Sequence, residues 1–264
     1  MPLNRKLKAW AMRIVRFVAG KQPRYGVVED TVVREIQGDI FSKFTVTDRT
    51  YSLKRIRFLA PTEPSKIIGV GLNYRDHAEE MKLQTPDEPI IFLKPPSATL
   101  PHRGRITYPK LCGRLDYEAE LGIVIKRTAR AVPVEKAHRY ILGYVCFNDV
   151  TARDLQRMDG QWTRSKSFDT FAPFGPWVET DLDLSDAPIR AFLNGVIRQE
   201  SNINNLIFEV PYLIHFVSTV MTLYPGDVIT TGTPSGVSPM RPGDTIEIEV
   251  EGIGRLSNSV IAES

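Results

Sequence analysis

Three acidic residues alternate in the stretch "LDYEAELGIVIKR": Asp116, Glu118 and Glu120, followed at once by the apolar run 121–125. The run predicts a strand, which sends alternate side chains to opposite faces and rises about 3.3 Å per residue. The three acids then share one face, roughly 7 Å apart per step. Two carboxylates at that spacing repel by about 2 kcal/mol at an effective dielectric near 20. Such a face needs a cation unless water covers it. A fourth acid, Asp149, ends the strand predicted from "ILGYVCFND". Glu118, Glu120 and Asp149 offer the oxygen ligands that Mg²⁺, Mn²⁺ and Ca²⁺ take. The plainer alternative is a solvated face with no metal, and the Val/Ile-rich flanks weigh against it. Zinc is disfavoured, because His77, His102, His138 and His215 are scattered without ligand spacing.

Three further stretches could carry chemistry. In "DHAEE", His77 and Glu80 stand three apart, which brings them together on a helix. A carboxylate beside an imidazole fixes its tautomer and raises its basicity, as a general base requires, although such pairs are common on surfaces. Lys166 lies in "RSKSFDTFAPFGP" (164–176), read as a partly apolar loop from which an ammonium could meet an oxyanion. "TTGTPSGV" (230–237) supplies hydroxyls and free N–H groups that suit a carboxylate or phosphate, or else forms an ordinary turn between strands. It lacks a Walker lysine, and no G-x-G-x-x-G opens a helix, so nucleotide binding is not expected there.

The elements around these residues read as many strands and few helices. Short strands are predicted over 12–60, followed by a proline-rich linker at 60–66 ("APTEPSK"). Helices are predicted at 75–83, at 132–140, over 150–160, and over 208–221, where the apolar face is broad. Asn194-Gly195 between apolar runs signals a hairpin, and "PGDVI" and "PGDTI" each place a turn before a strand. The class is α+β rather than doubly wound. Cys112 and Cys146, assigned to separate strands, show no metal spacing and point to a reducing compartment. Of 264 residues, 42% are hydrophobic, and 34 basic against 31 acidic residues leave a net charge of +3, too balanced to argue for nucleic acid. Arg13 and Arg16 interrupt what would be a signal-peptide core, and no membrane-length apolar run occurs. A soluble, cytoplasmic protein is expected.

Taken in order, "VGLNYRDHAEEM", "FLKPPSA", "DYEAELGIVI", "FNDVTARDLQ", "KSFDTFAPFGP" and "GDVITTGTPSGV" resemble the fumarylacetoacetate hydrolase family over about residues 66–260. The resemblance implies layered, rolled mixed β-sheets with few helices over 66–264. A small β-rich N-terminal region over 1–65 resembles that of many bacterial members. It further implies a homodimer and a divalent cation, Mg²⁺ or Mn²⁺, held by Glu118, Glu120 and Asp149. Asp116 matches no ligand of the family and is expected to be structural. His77 and Glu80 resemble a base dyad on a segment that closes over the substrate, and Lys166 resembles the lysine that stabilises an enolate or oxyanion. Arg153, Gln156 and Thr233 match substrate-binding positions. Lys94 is typical of the family, with no assigned role.

Substrates implied by this resemblance are small 2-oxo or enolic acids. The first expectation is metal-dependent hydrolysis of an acylpyruvate-type C–C bond. The alternatives are isomerisation or decarboxylation of dienoate- or oxaloacetate-type acids in aromatic catabolism, and, further off, a non-catalytic oxo-acid binder. No nucleic-acid or membrane partner is expected.

Overall fold

The computed structural model describes residues 11–264; the reading of the first ten residues lies outside the described part. Strands dominate. The helices are α1 (Arg75–Met81), α2 (Arg153–Asp159), the single turn α3 (Thr163–Lys166) and α4 (Val210–Val220). The 132–140 segment is a 3₁₀ helix over Val134–Tyr140 rather than an α-helix. Ala137 is its only buried residue, so it offers no apolar α face to pack.

The described strands form three sheets. The largest runs, edge to edge, through Phe44–Ser52, Val32–Gly38, Gln22–Glu29, Arg13–Ala19, Ala172–Glu179, Ile141–Asn148, Ala119–Ile125, Val228–Thr230, Ile67–Val70 and Ile91–Lys94. Arg13 and Ile14 pair with Glu179 and Val178, so the N-terminal strands continue the same sheet. A five-stranded sheet is built from Val196–Asn202, Pro188–Leu193, Thr245–Val250, Gly254–Ala262 and Arg105–Tyr108. The third sheet joins Thr151–Ala152, Leu115–Asp116 and Pro239–Met240.

The strand Ala119–Ile125 is buried on both faces, and its period-2 alternation divides the interior. Leu121, Ile123 and Ile125 join the core shared with the five-stranded sheet and α4, including Ile189, Ile246, Leu213 and Ile214. Val124 points the other way, into a second core with Val145, Phe147 and Phe174. Glu120 and Glu118 continue that even-numbered side beyond the apolar residues.

Residues 60–66 do not hang free as a linker. Pro61, Thr62 and Pro64 are buried. The Thr62 hydroxyl donates to Gly226 O at 2.8 Å, and Asp227 accepts from Ser65 N–H and from Lys66 Nζ. The hairpin at Asn194-Gly195 has both residues at positive φ, 53° and 79°, matching a primed turn. Cys112 and Cys146 are both free and buried. Cys112 sits in a turn before the strand Leu115–Asp116, not in a strand, since its backbone N–H bonds Pro109 O.

Candidate active site

Strand register assembles the acids. Ala119 pairs with Asn148, so the next step of the ladder sets Glu118 beside Asp149, whose N–H donates to Glu118 O at 2.9 Å. On the other side Gly122 pairs with Thr230, which brings Gly232 opposite Glu120. The Gly232 N–H donates to Glu120 Oε2 at 2.9 Å. Gly232 has a φ of +82°, and a Cβ there would lie 2.8 Å from Gly71 O. Only glycine reaches this position without strain. The 116–125 stretch is not one strand. Leu115–Asp116 leaves for the three-stranded sheet, and the Asn148 side chain accepts the N–H of Glu118 at the break. The alternation survives, and Asp116, Glu118 and Glu120 all line one cleft of about 500 Å³.

Ligand oxygens of Glu118, Glu120 and Asp149 lie within 4.8 Å of one another, and all three residues are buried. Their surroundings are cationic but uneven. Arg153 Nε donates to Asp116 at 2.9 Å, its Nη2 to Glu118, and its Nη1 to Gln156 Oε1 at 2.6 Å. Lys166 Nζ donates to Glu118 at 2.9 Å, Asp149 at 2.5 Å and the Thr151 hydroxyl at 2.7 Å. Lys94 Nζ donates to the other Asp149 oxygen and to Val150 O at 3.2 Å. Glu120 has no ion-pair partner among the described residues; the Thr230 hydroxyl stands near it, and Gly232 bonds it.

These contacts set the protonation balance. Burial opposes ionisation of Glu118, yet Lys166 and Arg153 hold its carboxyl well below the usual carboxylate range. Burial pushes Glu120 well up, and the charges of Asp149 and Glu118 push it further. Burial lowers Lys94, against the pull of Asp149 and with the repulsion of Lys166. Burial also opposes the charge on Lys166, but Asp149 and Glu118 raise it overall. A carboxylate held among two others, with Lys166 acting on it only at a distance and no ion pair of its own among the described residues, is a fit for a hard divalent ion. The donor set is all oxygen, as Mg²⁺ and Mn²⁺ require.

The opposite wall carries α1. His77 Nδ1 lies 3.0 Å from Glu80 Oε2, and Glu80 Oε1 accepts from Gly236 N–H at 3.2 Å. Both residues line the cleft with Arg153, Gln156, Lys166 and Thr233. Lys166 is not on a loop: it ends α3 and is buried, with Nζ 4.9 Å from the centre of the Phe92 ring. The Thr233 hydroxyl accepts from Gln199 Nε2 at 2.9 Å. The structure thus gathers every residue singled out from sequence around one cleft, with Asp149 beneath its floor.

Two residues there were not assigned roles from the sequence. Lys94 is fully buried on the acid cluster, and a lysine inside the apolar run "IIFLKPP" is the local sign of it. Gln199 is 1% exposed and ties the Ala119 N–H, Thr233 and Pro234 O together. Its hairpin strand carries no signal for this, because the partners come from distant segments.

The family description "Fumarylacetoacetate (FAA) hydrolase C-terminal" matches residues 66–261, and "Rv2993c-like, N-terminal" matches residues 12–61. The crystal structure of 5-carboxymethyl-2-hydroxymuconate delta-isomerase from Mycobacterium smegmatis is 44% identical, with a TM-score of 0.90 over 96% of this chain and 100% of that one. The 4-hydroxyphenylacetate degradation bifunctional isomerase/decarboxylase of Salmonella dublin is 41% identical over 75% of this chain and 47% of its own length. Maleylpyruvate hydrolase from Sphingobium sp. SYK-6, solved with manganese(II) and pyruvate, is 28% identical, with a TM-score of 0.81 over 96% of this chain and 100% of that one. With a matched family model spanning residues 66–261 and a solved relative that is 44% identical over nearly the whole chain, the chain belongs to the fumarylacetoacetate hydrolase family.

Proposed function

We propose that this chain is a divalent-cation-dependent enzyme of 2-oxo and enolic acids that hydrolyses the C–C bond of acylpyruvate-type diketo acids. One observation carries the reading: a buried three-carboxylate cluster, one member of which has no ion pair among the described residues, opens through Glu118 and Glu120 onto a cleft shared with a His–Glu dyad. Glu118, Glu120 and Asp149 would hold Mg²⁺ or Mn²⁺, which when bound supplies Lewis-acid stabilisation of charge developing on a 2-oxo oxygen. The manganese and pyruvate in the similar maleylpyruvate hydrolase support that assignment.

The chain's own residues supply the rest. With Nδ1 against the Glu80 carboxylate, His77 keeps its proton there and leaves Nε2 as the base. His77 Nε2 takes a proton from the water that adds to the distal carbonyl. The C–C bond then breaks, its electron pair passes to the pyruvate fragment as an enolate, and a proton returned to carbon completes pyruvate. Gly236 N–H holds Glu80 in place during this transfer. Lys166 has all three protons engaged, on Glu118, Asp149 and Thr151, and its charge holds the Glu118 carboxyl down. To meet an oxyanion it gives up the Thr151 contact. Arg153, Gln156 and the Thr233 hydroxyl, held by Gln199, orient the substrate carboxylate.

A second reading, isomerisation or decarboxylation, is favoured by the higher identity to the isomerase and the bifunctional isomerase/decarboxylase. It uses the same enolate and differs in what leaves or where a proton returns. The deciding test follows the enol absorbance of acetylpyruvate with chelator-stripped protein before and after Mg²⁺, with oxaloacetate in parallel. Metal-dependent loss of signal with pyruvate formed supports hydrolysis, and turnover of oxaloacetate alone rejects it. His77→Ala should retain Mg²⁺ binding and lose hydrolysis about 100-fold; unchanged hydrolysis rejects the base assignment.

A further inference from the structure

A second cleft, of about 620 Å³, lies away from the acid cluster and is lined by Arg55, Arg57, Arg103, Arg105, His102 and Phe58, with no carboxylate among its lining residues. Two short motifs build it, each placing arginines two apart. In "RIR", Ile56 is buried and both flanking arginines are exposed. In "RGR", a Cβ on Gly104 would lie 2.6 Å from the Leu100 side chain, so the turn requires glycine. Arg103 keeps a φ of +65°, a region that favours glycine, while its guanidinium carbon stands 5.3 Å over the Phe58 ring. His102 packs edge-on to the same ring at 4.8 Å, and its Nδ1 accepts from Ser257 N–H.

The contrast with the neighbouring arginines is informative. Arg13 and Arg16, on the strand that pairs with Arg57–Phe58, and Arg24, Arg34 and Arg49, further along the same sheet, all have a carboxylate within 4.0 Å. Arg55, Arg57, Arg103 and Arg105 have none among the described residues. Unpaired guanidinium groups gathered around one concavity repel one another, and an anion in their midst removes that repulsion. Burial lowers His102 to about 4, and the charge of Arg103 adds to the shift.

We propose that this cleft is a binding site for a small polyvalent oxyanion of the diphosphate class. Guanidinium forks match phosphoryl oxygens two at a time, and the volume suits a small molecule. The cleft also joins segment 55–59, within the matched N-terminal region, to segment 101–105 of the matched C-terminal region. A bound anion therefore ties the two together and raises the melting temperature.

The test is calorimetric titration of the full chain with inorganic diphosphate, and separately with ADP, at about 0.15 M salt. Chelator-stripped and Mg²⁺-loaded samples are run side by side. Saturable binding is expected, weakened about tenfold or more in Arg55→Gln/Arg57→Gln and, independently, in Arg105→Gln, and retained in Arg153→Gln. Equal affinity for diphosphate and ADP identifies the phosphoryl groups as the recognised part, and tighter ADP binding identifies a nucleotide as the source. An absence of saturable binding overturns the proposal, as does equal affinity in the arginine variants. So does loss in Arg153→Gln alone, which assigns the anion to the catalytic cleft. Binding of a short single-stranded RNA that diphosphate does not displace also overturns it.

Discussion

Replacing Lys94 with methionine removes one charge from a cluster that solvent does not reach. Lys94 is fully buried and holds one oxygen of Asp149, while Lys166 holds the other. Methionine has a similar length and shape, so cavity formation contributes little. The lost term is electrostatic: removing one partner of a buried ion pair costs about 3–5 kcal/mol, because the remaining charge is left uncompensated. Lys166 still faces Asp149, which sets the expected loss near the lower bound, about 3 kcal/mol. At about 2–4 °C per kcal/mol for a chain of this size, the metal-free variant should melt about 6–12 °C lower. Urea unfolding in chelator, followed by tryptophan fluorescence, measures the difference directly. Adding Asp149→Asn to Lys94→Met should recover much of the loss, since neither partner is then left charged and alone. A loss below about 1 kcal/mol in chelator, or a double variant no better than the single, would refute the claim that this pair is desolvated and mutually dependent.

Three other outcomes are expected. Glu120→Gln keeps the acceptor for Gly232 N–H while removing the carboxylate that has no ion-pair partner among the described residues. The metal-free protein should therefore gain stability at pH 8, and the thermal shift produced by Mg²⁺ should disappear; a retained shift excludes Glu120 as a ligand. Gly232→Ala forces a Cβ to within 2.8 Å of Gly71 O at a positive φ, so a stability loss of at least about 2 kcal/mol by denaturant titration should accompany loss of turnover. His102, lowered from 6.5 to about 4 by burial and Arg103, binds a proton less readily when folded than when unfolded. Stability is thus complete above pH 6.5 and falls as pH drops toward 4, by up to about 3 kcal/mol. His102→Gln should flatten that part of the pH profile in urea titrations, and an unchanged slope would show that other groups carry it.

The sequence alone determined what repeats over short distances. Alternation at Asp116, Glu118 and Glu120, the Asn194-Gly195 turn and the apolar face of α4 depend on neighbours two to four residues away, and all reappear in the structure. The order and types of the motifs were enough to indicate the family, because each motif is local. Pairing across the chain was decided only by the tertiary structure. Asp116 takes one cation from Arg114 two residues away, but it and Glu118 share Arg153 because the chain turns from Asn148 into α2, and Glu120 meets Gly232 because of the register between two strands far apart in sequence. The same holds for Lys166, read as part of a loop yet buried at the end of a one-turn helix. The four arginines around His102, with no carboxylate partner among the described residues, follow the same rule. Their charges are plain in the sequence, but the lack of a carboxylate beside them is a property of the folded surface. Charge type is written residue by residue, whereas compensation depends on which distant segments the sheets bring within a few ångströms.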